Sequence, residues 1–377
     1  MTAPAAAPGA RYSRSLATLS RADEPRFGGK SASLGELLSA GIHVPPGFAL
    51  STAAFRTFVQ EAGLQSLIDE RLASLSLDDL GAVQSACAEL TEAIRAAPMP
   101  AAVQEEIARA YSELGGPSAD APAAVAVRSS AIGEDSESAT FAGQQATFLW
   151  VAGAHKVLGA VRDCWASLYS PTAVSYRARA ARAGAPDASA GGASGTTGPP
   201  AMGVAVQMMV DALVSGVMFT CNPVSGDPST IVVNASWGLG EAVVGGEVTP
   251  DEYRLSKVTG EVLRERIGPK LVEYVAAPAG AGTVRREVAP ERQNHPCLSE
   301  IELSELVALA RRVERHFGAH QDIEWAIARA GSLPANLFVL QSRPVTGVAK
   351  RDKQPPARSA IALVMSTFGV DPARRDT

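Results

Sequence analysis

Asp322-Ile323-Glu324-Trp325-Ala326-Ile327, followed by Phe338-Val339-Leu340-Gln341-Ser342-Arg343-Pro344-Val345-Thr346, decides how the chain is read. In both halves apolar residues alternate around polar ones, the period of a half-buried strand. The break between them, Ala330-Gly331-Ser332-Leu333-Pro334-Ala335-Asn336, reads as a hairpin loop. Antiparallel pairing then brings Glu324 close to Gln341 and Arg343. A carboxylate, an amide oxygen and a guanidinium on one sheet face can hold a hard cation beside a phosphate. Taken alone, the stretch equally describes an edge hairpin with a solvated ion pair, since exposed Glu/Arg pairs are common and weak.

At 377 residues the chain has room for two or more lobes with their own cores. Its net charge of -5 and pI near 5.7 argue against non-specific nucleic-acid binding, so a phosphate site here is local. Cys87, Cys164, Cys221 and Cys297 stand far apart with no C-x-x-C, which excludes the usual zinc and disulfide patterns and fits the reduced thiols of a cytoplasmic protein. No apolar run reaches the roughly 18 residues of a membrane span. Residues 1–14 read as a flexible lead-in, since Met1–Ala10 is Ala/Pro-rich without the order of a signal peptide.

Working outward from the hairpin, Ser299-x-x-Glu302 is a capping box that opens an amphipathic helix to Phe317. Before it come strands at Val204–Val210, Ser215–Thr220 and Ile231–Ala235, and a hairpin-like stretch from Pro250-Asp251 to Lys270. Their spacing predicts a largely antiparallel sheet. Gly238-Leu239-Gly240 lacks the third glycine of a dinucleotide fingerprint, so a Rossmann fold is rejected. The Ala/Gly/Ser/Thr/Pro-rich run at 183–201 reads as a flexible insert and is placed as a lobe boundary. The expected lobes are 15–182 and 202–347, and the polar, Pro-bearing tail at 348–377 reads as a linker.

In the first lobe, residues 51–115 read as helices with core-forming stripes. Val157, Val161, Trp165 and Leu168 share one face of a further helical stretch. Gly28-Gly29-Lys30 opens a helix carrying Leu34, Leu37 and Leu38. Backbone N–H groups and an ammonium at a helix start suit a phosphate, yet a flexible turn with an exposed lysine fits as well. It is not a Walker A motif, because Glu24 occupies the first glycine position. Ala124-Val125-Ala126-Val127 runs into Arg128-Ser129-Ser130, then an acidic loop and Phe141-Ala142-Gly143-Gln144. This suits a polyphosphate lid in which Gly143 lets the backbone approach an oxygen closely, or an ordinary strand exit.

The order of these motifs is more specific than any one of them. Gly28-Gly29-Lys30, Val127-Arg128-Ser129-Ser130, Phe141-Ala142-Gly143-Gln144, Ser215-Gly216-Val217-Met218-Phe219-Thr220, Gly238-Leu239-Gly240-Glu241, Pro250-Asp251 and Gln341-Ser342-Arg343-Pro344 together resemble the ATP-binding domain of the phosphoenolpyruvate synthase and pyruvate phosphate dikinase family. The resemblance covers about residues 15–347. It implies an α+β, ATP-grasp fold in which two lobes clamp ATP between their sheets. It also implies the site residues. Lys30 and Arg128 would contact ATP phosphates. Gly143 and Thr147 would belong to the covering loop. The backbone after Gln207, from Met208 to Val210, would meet adenine, and Glu241 the ribose hydroxyls. Glu324 and Gln341 would ligate Mg2+, and Arg343 would neutralise the transferring phosphoryl group.

Family members usually add a swivelling domain, whose histidine in a Thr-Ser-His setting carries phosphate, and a barrel domain for pyruvate or phosphoenolpyruvate. Neither is found here. The expected function is that of an ATP-dependent phosphotransferase subunit. Like the ATP-domain subunit of phenylphosphate synthase, it would transfer a phosphoryl group to a histidine on a separate partner carrying those domains, giving AMP and phosphate. A stand-alone small-molecule kinase, a non-catalytic ATP-sensing module and a fragment of a full-length synthase are the other readings. Neither nucleic acid nor membrane is an expected partner.

Overall fold

The computed structural model describes residues 12–76, 78–115, 122–133, 146–182, 200–278 and 282–345. Gly143 with most of its loop, residues 183–199 of the insert and the tail at 348–377 lie outside the described residues, as do residues 1–11.

The strands build two antiparallel sheets and a ribbon. The first sheet contains β1 (Ser13–Ser15), β2 (Gly47–Leu50), β3 (Ala124–Ala131), β4 (Thr147–Ala152) and β5 (Met202–Met208), in the order β1-β2-β5-β3-β4. The second contains β6 (Ala212–Phe219), β7 (Thr230–Trp237), β8 (Asp251–Ser256) and β9 (Val262–Arg266), joined later by β12 (Gln321–Ala328) and β13 (Leu337–Pro344). Its order is β13-β12-β6-β7-β8-β9. Between β9 and β12 in sequence, β10 (Val272–Ala276) and β11 (Thr283–Glu287) form a separate two-stranded ribbon.

Side-chain alternation sorts the first sheet into two faces. Phe48, Leu50, Val125, Val127, Val204 and Val206 point into a core shared with the helices Thr52–Glu61, Leu80–Ala96, Ala101–Glu113 and Ala154–Ser167. Trp165 is fully buried there, its ring 5.7 Å from Phe55 and 5.1 Å from Phe58. The opposite face carries the small side chains of Ala49 and Ala205, which join a second core. Leu34 and Leu37 of the Gly29–Ser39 helix belong to that core, together with Val214, Ile231, Ile323 and Trp325 of the second sheet. This helix therefore lies at the joint of the two sheets, and Ser33 Oγ donates to Ser342 O of β13 at 2.8 Å.

One boundary differs from expectation. A lobe division at 183–201 puts Met202–Met208 in the second lobe, but β5 is hydrogen-bonded between β2 and β3 at the centre of the first sheet. Its Val204 and Val206 bury against the first core, and that burial decides its position. The sheets part between Met208 and Ala212.

The helix over Glu300–Phe317 starts on the expected capping box, with Ser299 Oγ accepting from Glu302 N–H, and ends on a left-handed Gly318. It covers the face of the second sheet carrying Ile323, Trp325 and Ile327, leaving Asp322, Glu324 and Ala326 on the other face. No described helix is long and apolar enough to cross a membrane. All four cysteines are buried and free.

Candidate active site

The deciding hairpin pairs in the expected register, with Glu324 opposite Gln341. A register shift follows between Glu324 and Trp325, so the strand bends beside the charged residues. Along β12 one face changes character at every second residue. Ala326 belongs to an apolar cluster with Val210, Ala212 and Leu239, Glu324 follows, and then Asp322 opposite Arg343. Ala326 and Glu324, with Arg343, line a cleft of about 550 Å³ between the two sheets, and Asp322 lies behind Arg343.

The cleft brings together nearly all the residues nominated by the sequence. Arg128 and Thr147 come from β3 and β4, and Gln207, Met208 and Val210 from β5 and the residues just after it. Glu241 comes from the turn after Gly238-Leu239-Gly240, and Glu324, Gln341 and Arg343 from the hairpin. A larger groove of about 740 Å³ lies between Lys257, Arg311, Arg315 and His320. It contains none of these residues. Charge convergence and an orphaned buried donor favour the inter-sheet cleft as the ligand site.

Arg128, 8% exposed, ties the charged end together. Its Nη2 donates to Glu324 Oε2 at 2.6 Å and to Gln341 Oε1 at 3.0 Å, and its Nη1 to Leu340 O at 2.9 Å. Arg343 donates through Nε to Asp322 Oδ2 at 2.9 Å, with Nη2 2.8 Å from the same oxygen. Burial pushes the Glu324 carboxyl up, but Arg128, Lys30 and Arg343 together outweigh it and hold the group below its ordinary value. At Asp322 burial wins over Arg343, and Glu324 adds repulsion, so that carboxyl is raised.

Among the described nominees Lys30 is the exception. It is fully buried and lies off the cleft wall, donating to Ser129 O at 3.0 Å. This rules out the flexible turn with an exposed lysine, and it brings two distant motifs into contact. Ser31 N–H donates to Ser130 Oγ at 3.0 Å, so the start of the Gly29–Ser39 helix is docked on Arg128-Ser129-Ser130. Gly28 permits this docking. Its φ is +81°, and a Cβ there would lie 1.9 Å from Ser130 O. The ammonium of Lys30 acts on Glu324 through its charge.

Two side chains near the site, Asp322 and Thr283, lie outside the set nominated by the sequence. Asp322 carried a signal, since it lies two strand residues from Glu324 and so shares its face. Gln207 is among the nominated residues; its side chain is 2% exposed, and Nε2 has no hydrogen-bond partner among the described residues. A buried amide donor left unpaired costs about 1–3 kcal/mol, which a ligand acceptor in the cleft would recover. Thr283, which donates to Glu241 Oε2 at 3.1 Å, gave no sequence signal.

The donor set suits Mg2+. Among the described residues no group of three or more His, Cys, Asp or Glu forms a metal cage. Mg2+ does not need one, because it takes one or two protein carboxylates and completes its shell with water and substrate phosphates. Glu324 with the Gln341 amide oxygen offers hard oxygen ligands of that kind.

Two α+β lobes with antiparallel sheets, and a cleft apolar at one end and charged at the other, define an ATP-grasp nucleotide-binding domain. The model of the pyruvate phosphate dikinase AMP/ATP-binding domain matches residues 24–361, and the chain belongs to that family. It is 38% identical over 354 residues to a probable phosphoenolpyruvate synthase of Methanothermobacter thermautotrophicus, covering 94% of this chain and 49% of the relative. It is 36% identical over 373 residues to phosphoenolpyruvate synthase of Pyrococcus furiosus, covering 89% and 44%. With rifampicin phosphotransferase of a Streptomyces species the identity is 41% over 320 residues, covering 85% and 34%. The chain thus spans half or less of the length of these relatives.

Proposed function

We propose that the chain is the ATP-binding part of a phosphotransferase that passes the β-phosphoryl group of ATP to a histidine on a swivelling domain, releasing AMP and phosphate. The histidine and acceptor domains would be carried by a separate partner subunit. The observation that carries this reading is the meeting of Arg128, Glu324, Gln341 and Arg343 at one end of a cleft whose other end is apolar.

Adenine would lie against Met208–Val210 and Leu239, and Glu241 would take the ribose hydroxyls. The triphosphate would run towards Arg128 and Arg343, with Thr147 and Gly143 covering it. Phosphoryl transfer is mainly positioning and charge neutralisation, which two guanidiniums and a buried ammonium supply. Glu324 and Gln341 would hold Mg2+, which when bound supplies further neutralisation of the phosphate oxygens. Arg128 bridges the sheets, and this orients both metal ligands before ATP arrives.

The relatives named for phosphoenolpyruvate and for rifampicin share this domain. The final acceptor is therefore assigned to domains outside this one. The test is ATP turnover by the purified chain with Mg2+, with and without a histidine-bearing partner. AMP and a phosphorylated partner that appear only on mixing support the proposal. ADP formed with a small acceptor would instead make the chain a direct kinase. Tight binding without any product would make it a sensor.

A further inference from the structure

We infer that the β10–β11 ribbon is a working part of the nucleotide site, with Thr283 as a positioning residue that sets Glu241 for the sugar hydroxyls. The inference rests on the reading of Glu241 as the ribose ligand.

The ribbon is fastened around the cleft at three points. Leu239 N–H donates to Tyr274 O at 2.9 Å, which holds β10 to the turn before Glu241. Gly238 makes that approach possible, because its φ is +73° and a Cβ there would lie 2.4 Å from Tyr274 O. Gly282 N–H donates to Trp150 O at 2.9 Å, which carries the ribbon across to β4 of the first sheet. Next to it, Thr283 lines the cleft and donates to Glu241 Oε2.

Glu241 is exposed on a four-residue helix, where a glutamate samples many rotamers. The Thr283 hydroxyl removes that freedom at one carboxylate oxygen. Oε1 accepts nothing among the described residues and stays available to the ligand. A carboxylate aimed in advance at two sugar hydroxyls discriminates against a sugar lacking one of them, because a polar group in the site is then left unpaired. Thr283 thus acts on sugar selectivity through Glu241, without touching the reacting phosphates.

The experiment measures equilibrium affinities of the full chain for ATP and 2′-deoxyATP with Mg2+, in the wild type and in Thr283→Val, Thr283→Ser and Glu241→Gln. The expected result is that Thr283→Val lowers the preference for ATP over 2′-deoxyATP about three- to tenfold, the scale of one side chain left to order on binding. Thr283→Ser, which keeps the hydroxyl, restores the preference. A general structural loss would weaken both nucleotides alike. That result in Thr283→Val, with Glu241→Gln abolishing the preference, would overturn the role of Thr283 and leave the ribose reading in place. An unchanged preference in Glu241→Gln would overturn both.

Discussion

Nη2 of Arg128 on β3 donates to Oε2 of Glu324 on β12 at 2.6 Å, so an ion pair joins the two sheets at the charged end of the cleft. Breaking a buried pair by truncation leaves an uncompensated charge and costs about 3–5 kcal/mol. The informative variant is Glu324→Gln, which also takes the counter-charge from Arg128 but keeps the side chain's shape and one acceptor for it. On the proposed reading it weakens one metal ligand while Arg128 and Arg343 still meet the phosphates, so KM for ATP should change less than turnover. Turnover should fall about 100- to 1000-fold. Steady-state kinetics with AMP detection, alongside a thermal melt, checks this. Near-normal turnover in a folded Glu324→Gln protein would remove Glu324 from the site.

The acid limb of stability depends on the same pair. Glu324 is held below its ordinary pKa in the fold, so it contributes stability above the unfolded value, about 4.3, and loses it as pH falls through the lower folded value. Asp322 has the opposite sign. Its raised pKa penalises the fold above the folded value, and the penalty disappears on protonation. Urea midpoints between pH 3 and 7 should show wild type losing its advantage over Glu324→Gln as pH falls, and its disadvantage against Asp322→Asn shrinking over the same descent. Parallel curves for all three proteins would show that neither carboxyl is coupled to folding.

The hairpin, the capped helix to Phe317 and the antiparallel second sheet were legible because each is a local pattern. Alternation fixes a strand face, and Ser299 with Glu302 fixes a helix start. The order of short motifs carried the family. Position between distant segments was not legible. Nothing local says that β5 inserts between β2 and β3, or that Lys30 is sealed against Ser129, a contact 99 residues apart in sequence. Glycine and lysine at a helix start fit an exposed turn equally well until the partner strand is in place. Thr283 is similar, since its role depends on a ribbon whose docking comes from Gly238 and Trp150.

Asp251, part of a motif with no role assigned from sequence, has a structural one. It is fully buried and paired with the equally buried Lys270. It also accepts from Gly268 N at 3.0 Å, Cys297 N at 2.9 Å and the Tyr253 hydroxyl at 3.3 Å. Asp251→Asn should cost about 3–5 kcal/mol, read as a lower urea midpoint, because Lys270 is left as an unpaired buried charge. Adding Lys270→Met should recover part of the loss, and the orphaned backbone N–H groups account for the rest. Asp251 is not among the cleft-lining residues, so ATP affinity of the folded fraction should be unchanged. A loss of affinity without a loss of stability would contradict the structural assignment.

Gly28 and Lys30 are neighbours but two positions apart in chain and different in effect. Gly28→Ala forces a side chain into a left-handed backbone and against Ser130 O, so the Gly29–Ser39 helix can no longer dock on β3. Melting temperature and turnover should fall together, because the same strand carries Arg128. Lys30→Met keeps the buried stem and removes only the ammonium. The fold should hold, turnover should fall about 100-fold or more, and the Glu324 carboxyl should titrate higher once that cation is gone. Calorimetry with single-turnover kinetics separates the two variants. Equal loss of stability in both would mean that Lys30 serves the fold alone, and its place among the phosphate-binding residues would then have to be given up.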